Sequence, residues 1–200
     1  MKKSLVIAGM IFSATILNAM NIDYFVALGA GQGYETIEVK VANVTVETKD
    51  DGGVLSVGAG VIVDDSHRVS LEYTQYSTSG DSSMYSIGLG YDYRITLKDM
   101  PIKPFIGLSY VLVKYSEDLN DDATVTWDKS SADVDTNVLM ARIGVDYEIN
   151  ESFYASLLYD ISLTTSGTTD VGVNINGTNY VSSVEVTDLS KLELLVGYKF

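Results

Sequence analysis

The final nine residues, Leu192-Glu193-Leu194-Leu195-Val196-Gly197-Tyr198-Lys199-Phe200, constrain this chain more than any other stretch. Side chains alternate across an extended strand, so counting back in twos places Phe200, Tyr198, Val196, Leu194 and Leu192 on one face. Lys199, Gly197 and Glu193 share the other face, with Leu195 its one apolar member. An ending that is greasy on one side and small or polar on the other is the pattern of a strand that crosses a membrane with one face in lipid.

The opposite end is consistent with export. Met1-Lys2-Lys3 is a positive start, residues 5–17 are an apolar stretch, and Leu17-Asn18-Ala19 ends in the small residue that a signal peptidase needs. A signal peptide over residues 1–19 is expected, with a β-barrel domain over 20–200. The apolar stretch is shorter than the ~18–20 residues of a membrane-crossing helix, and nothing after Ala19 reaches that length, so insertion has to be by strands. With no cysteine, neither a disulfide framework nor a lipid-anchored cysteine is expected. The net charge of -14 argues against a nucleic-acid partner, which needs a basic stripe.

Period-2 alternation marks eight segments: residues 24–34, 54–63, 68–76, 84–95, 104–114, 138–149, 153–165 and the terminal 192–200. Each is about the ~9–11 residues of a tilted transmembrane strand. One face collects Leu28, Val57, Leu71, Leu89, Leu108, Ile143 and Leu157 together with many tyrosines; the other is largely Gly and Ser. A soluble lipocalin-like barrel would carry Lys, Glu and Thr outside. Gly and Ser suit the crowded interior of a small barrel, and tyrosines near strand ends suit the girdles of a membrane one. The links 64–67, 97–103 and 150–151 are tight, whereas 35–53, 115–137 and 166–191 are long, with 77–83 the short member of the long set. That alternation predicts an antiparallel up-and-down barrel with short periplasmic turns, long extracellular loops and both termini periplasmic. Strand-like alternation at 37–41 and 44–46 predicts a turn near Ala42-Asn43. Asn176-Gly177 within 171–186 is a type I′ hairpin signal, so the last hairpin should project above the membrane with an unpaired edge.

Across its mature length the chain resembles the small eight-stranded outer-membrane barrels of the OmpA/OmpX-like family. The resemblance rests on the Phe200 terminus, the opening Phe25-Val26-Ala27-Leu28-Gly29-Ala30-Gly31, and the stretches Lys103-Pro104-Phe105-Ile106-Gly107 and Arg142-Ile143-Gly144-Val145-Asp146-Tyr147. It implies a cell outer-membrane location in a Gram-negative bacterium, and an assembly signal at Phe200 and Tyr198 read by the barrel-assembly machinery. It implies outer-membrane lipid and lipopolysaccharide as surroundings, and roles in adhesion, host or cell-surface contact, or envelope integrity. These motifs specify architecture, not one chemistry. A monomer without cofactor is expected.

Candidate chemistry lies in two places. The polar face carries Arg68, Glu72, Asp92, Arg94, Arg142, Asp146, Asp160 and Glu193, joined by Glu148 and Lys199. Inside eight strands such charges have to pair, which predicts a salt-bridge plug, with Glu72, Asp92 or Asp146 as the acids beside Arg142. A narrow or gated porin-like channel lined by the same charges is the alternative. A lipid A-modifying barrel enzyme is the third reading, and there the family pattern implies a histidine near the outer leaflet. The only histidine, His67, falls in a periplasmic turn, so a plain turn residue and a non-enzyme are expected. In the loops, Glu117, Asp118, Asp121 and Asp122 are candidates for a weak divalent-cation site, although the glycine and distal glutamate of an EF-hand are missing. Trp127 reads either as a binding anchor or as a residue packed beneath its loop.

Overall fold

The computed structural model describes residues 21–41, 44–77, 82–119 and 125–200. The expected signal segment and the turn at Ala42-Asn43 lie outside the described residues. Ten strands form: β1 Ile22–Val41, β2 Val44–Val63, β3 His67–Tyr76, β4 Ser82–Arg94, β5 Ile102–Asp118, β6 Val125–Trp127, β7 Ser131–Glu148, β8 Phe153–Ser166, β9 Thr168–Ile175 and β10 Thr178–Lys199. Eight of them close an antiparallel ring in the order β1-β2-β3-β4-β5-β7-β8-β10, sealed by β10 against β1. All eight expected segments lie on ring strands, three of them (84–95, 138–149 and 192–200) running one residue past the strand end. At the short-turn rim the chain ends meet: Tyr24 and Phe200 exchange backbone hydrogen bonds of 3.1 and 2.9 Å.

The strands are longer than the sequence segments. β1 and β2 run 20 residues each and β10 runs 22, whereas β3 has 10. Most of what reads as long loop is therefore strand carried above the membrane, since continued alternation keeps a face to bury. Val41 pairs with Val44 across the β1–β2 tip. Residues 166–191 are not a loop but β9 and the first half of β10, joined at Asn176 (φ 52°) and Gly177 (φ 83°), the positive pair a type I′ turn requires.

β10 changes neighbours on the way up. Its residues 190–198 pair with β8, while 178–185 pair with β9. The switch coincides with a bulge opposite Thr36/Ile37, and Gly167 (φ 148°) turns the chain from β8 into β9. A Cβ on Gly167 would lie 2.1 Å from the Asp135 carbonyl oxygen, so only glycine fits. The expected unpaired edge of this hairpin is filled in part by the chain itself: β6 pairs with the last three residues of β9, Val125 to Ile175 and Trp127 to Val173.

Outside, Leu28, Leu71, Leu89, Leu108, Ile143, Leu157 and Leu194 form an exposed apolar belt. A water-facing surface would not carry so continuous a belt; a lipid-facing one does. Aromatic residues bound it. Tyr24, Phe153, Tyr198 and Phe200 pack in pairs at the short-turn rim, where Tyr91 and Tyr93 also lie, and exposed Tyr34, Tyr73 and Tyr85 form a second girdle toward the other rim. His67 is not a turn residue. It opens β3 and joins this girdle, its ring 5.4 Å from that of Tyr93 and its Nδ1 2.8 Å from the Tyr91 hydroxyl.

Candidate functional site

Inward-facing positions build a column through the barrel. At the short-turn rim, Lys103 pairs with Asp65 and donates to Glu148 Oε1 at 2.8 Å, and Lys199 donates to the same oxygen at 3.0 Å. One layer up, Arg94 Nε donates to Asp146 Oδ2 at 2.7 Å. Arg68 bridges Asp146 at 3.0 Å and Asp92 at 2.8 Å, with its guanidinium 4.4 Å above the Phe105 ring. Phe25, Phe105 and Tyr154 pad this layer. Midway, Arg142 Nε donates to Asp160 Oδ1 at 3.1 Å, with Glu72 at 3.5 Å and Asp92 at 3.7 Å. Lys191 pairs with Glu72 and lies 2.5 Å from Glu193.

Glycine makes the middle layer fit. A Cβ on Gly90 would lie 2.3 Å from Arg142 Nη1, and one on Gly107 2.3 Å from Asp92 Oδ1, so charged side chains occupy the space that ordinary residues would fill. Among the described residues, six bases in this column face seven acids. In a dry interior each charge needs its partner, because an isolated one costs several kcal/mol. All eight sequence candidates, Arg68, Glu72, Asp92, Arg94, Arg142, Asp146, Asp160 and Glu193, line this column. The acids around Arg142 differ from expectation in one member. Asp160 is the carboxylate closest to it, and Asp146 is held instead between Arg68 and Arg94.

Sequence reasoning missed Lys191 and Lys103, which it left in connecting segments. Parity signals both: Lys191 is two residues before Glu193, and Lys103 two before Phe105. It also missed the apolar upper half of the lumen. Tyr76, Met84, Val111, Val113, Tyr115, Val134, Val138, Met140, Val171 and Leu189 form one buried cluster over the charges. Two cavities interrupt the column, of about 10 and 20 Å³, each with room for a single water. They share Glu72 and Arg142 in their walls.

Above the membrane the acidic residues are dispersed. Asp121 and Asp122 lie outside the described residues. Glu117 accepts from the Tyr115 hydroxyl at 3.0 Å, and Asp118 is the last residue of β5. Asp133 accepts from Ser116 at 2.7 Å, Asp135 pairs with Lys114 at 3.2 Å, and Asp128 accepts from the Gly172 amide at 2.8 Å. Among the described residues no three acids or histidines gather as a metal-binding group. Trp127 is half-buried and packs against the upper apolar cluster. Glu35, just above the Tyr34 girdle, is buried, and desolvation together with the adjacent Asp50 pushes its carboxyl up to about 7.

No family model matches the chain, and no curated protein matches it. Solved structures do. Neisserial surface protein A is 20% identical, with a TM-score of 0.58, covering 90% of this chain and 99% of that one. The N-terminal β-barrel domain of OprF from Pseudomonas aeruginosa is 13% identical, with a TM-score of 0.50, covering 87% and 97%. With the exposed belt and the closed eight-stranded ring, the chain has the fold of these small outer-membrane β-barrels, and the belt is the surface of a barrel that sits in lipid.

Proposed function

We propose that this is a non-enzymatic outer-membrane barrel acting in surface contact, adhesion or envelope integrity, with its extracellular sheet making the contacts and its filled barrel serving as a rigid mount. The observation that carries this is the filled column: among the described residues the charge network and the apolar cluster pack the lumen around two cavities of about 10 and 20 Å³. Strands that outrun the membrane present an ordered surface on that mount, with exposed Val44, Val46 and Val181 on its hairpins. In the same proposal residues 1–19 direct export, Phe200 and Tyr198 engage the barrel-assembly machinery, lipopolysaccharide surrounds a monomer, and a host or cell-surface component is the partner.

The test is attachment of cells displaying the protein at matched surface levels. A triple variant Val44→Ser, Val46→Ser, Val181→Ser should attach less while the barrel assembles normally; unchanged attachment points away from surface contact. One observation favours a gated pore as a second reading: the two lumen cavities are separated at Glu72 and Arg142, and parting that pair would join them. The upper apolar cluster would also have to move, which sets the pore below the mount.

A further inference from the structure

The short turns of the barrel differ in one respect. Asp64-Asp65-Ser66 and Asn150-Glu151-Ser152 are polar, as turns that meet water are. The turn between β4 and β5 instead carries Ile95, Leu97, Met100, Pro101 and Ile102, all of them exposed. Ile149, just past the end of β7, adds one more exposed apolar side chain beside it.

This turn is ordered, not a frayed hairpin end. The Ile95 amide donates to the Pro104 carbonyl at 2.7 Å, one step beyond the last strand pair, Arg94 with Phe105. The Met100 amide donates to the Leu97 carbonyl at 3.3 Å and closes the turn, with Asp99 (φ 59°) taking the left-handed step. The Glu148 amide donates to the Pro101 carbonyl at 2.7 Å. That bond ties the turn to β7 at a residue whose carboxylate already accepts from Lys103 and Lys199. The backbone is fixed while the apolar side chains stay uncovered.

The uncovered patch continues a surface that already meets lipid. Along β5 the outward row is Leu112, Tyr110, Leu108, Ile106, Pro104 and Ile102, so the belt runs into the turn without a polar break. Leu97 lies two residues past Ile95, ~7 Å of extended chain. That reach matches the ~5–10 Å over which apolar faces sink into the boundary between headgroups and acyl chains. Lys98 stands at the tip between Leu97 and Asp99, where its aliphatic stem can run beside the apolar side chains while the ammonium stays at phosphate level.

We propose that residues 95–102 are an interfacial wedge, seated in the phospholipid leaflet at the short-turn rim and fixing the depth of the barrel on its β4–β5 side. A protein partner is disfavoured by area, since one turn of five apolar residues falls far short of the ~800 Å² per partner of a stable interface. The wedge lies at the rim opposite the extracellular sheet, so it stands or fails independently of the surface-contact function.

The chain has no cysteine, so a spin label can be placed at one site at a time. Full-length Leu97→Cys, Met100→Cys, Leu108→Cys and Glu151→Cys are labelled singly and placed in vesicles of phosphatidylethanolamine and phosphatidylglycerol. Heat-modifiable mobility confirms that each labelled barrel is folded. Collision with oxygen, which concentrates in hydrocarbon, is compared with collision with a water-soluble nickel chelate. The oxygen-to-nickel ratio at 97 and 100 should approach that of the belt label at 108 and exceed that of the polar-turn label at 151 severalfold. A probe without a linker checks that the label has not itself sought lipid. Trp127 is the only tryptophan, so Met100→Trp and Glu151→Trp are each read in a Trp127→Phe background. The Met100→Trp emission should be quenched by lipid brominated at the headgroup end of its acyl chains and shielded from aqueous iodide, whereas the Glu151→Trp emission should be open to iodide. Ratios at 97 and 100 equal to that at 151, or Met100→Trp emission as open to iodide as that of Glu151→Trp, would overturn the proposal.

Discussion

Arg94 Nε donates to Asp146 Oδ2 at 2.7 Å, with both side chains wholly buried. The pair ties the end of β4 to β7 across the lumen, and Arg68 grips the same carboxylate from β3. Removing that carboxylate takes away the acid the two guanidiniums share, leaving Arg68 with Asp92 and Arg94 with the more distant Asp65 and Glu148. Asp146→Ala should therefore cost ~3–5 kcal/mol, measured by urea unfolding in lipid vesicles. A double-mutant cycle should show strong coupling of Arg142 to Asp160 and almost none of Arg142 to Asp146; the reverse would mean the layers are misassigned.

On the opposite face, a charge meets hydrocarbon. Leu89 and Ile143 are about 58% and 59% exposed and lie between the girdles, so Leu89→Arg or Ile143→Arg should cost ~2–4 kcal/mol in bilayers. Polar-face Ser109 is buried against its neighbours, and enlarging it should act by overpacking. Folding yields equal to the unaltered protein for both Arg variants would reverse the faces.

How much of this was readable in advance follows from where period 2 persists. The ring, its faces and the short-turn rim follow from segments such as 84–95 and 192–200, where an alternating pattern leaves one choice of side. The upper lumen was not legible, because Val111, Val138 and Met140 share parity with Ser109 and Arg142, and parity does not say at what height an interior turns from polar to apolar. Lys191 was hidden by the loop assigned to its segment. β6 is only three residues long, and its pairing with β9 depends on tertiary placement that no local pattern encodes.

Gly167 should be the least replaceable residue above the membrane. A side chain there meets the Asp135 carbonyl, and the backbone angle is itself costly for any other residue. Gly167→Ala should destabilise the β6–β9–β10 sheet by about 2 kcal/mol or more while the barrel still closes. Hydrogen exchange would show this as faster exchange in 168–185 with 192–199 unchanged.

Glu35 gives the extracellular hairpin a pH dependence. Burial and Asp50 raise its folded carboxyl from 4.5 to about 7, so the protonated form is the one the fold favours. A raised carboxyl supports folding fully below the unfolded value, and the support is lost as pH rises through about 7. Glu35→Gln should therefore change little at pH 4 and stabilise by about 1 kcal/mol or more at pH 8, after allowance for solvent screening. Equal effects at both pH values in urea titrations would mean that Glu35 ionises freely.

The central claim is that the lumen is filled. Refolded protein in a planar bilayer, recorded at neutral pH and high salt, measures this most directly. The charge column and the apolar cluster over it predict no discrete current steps, and Arg142→Ala, which joins the two cavities but leaves the apolar cluster in place, should not by itself produce them. Stable, ohmic single-channel steps from the unaltered protein would contradict a filled lumen and make the molecule a pore.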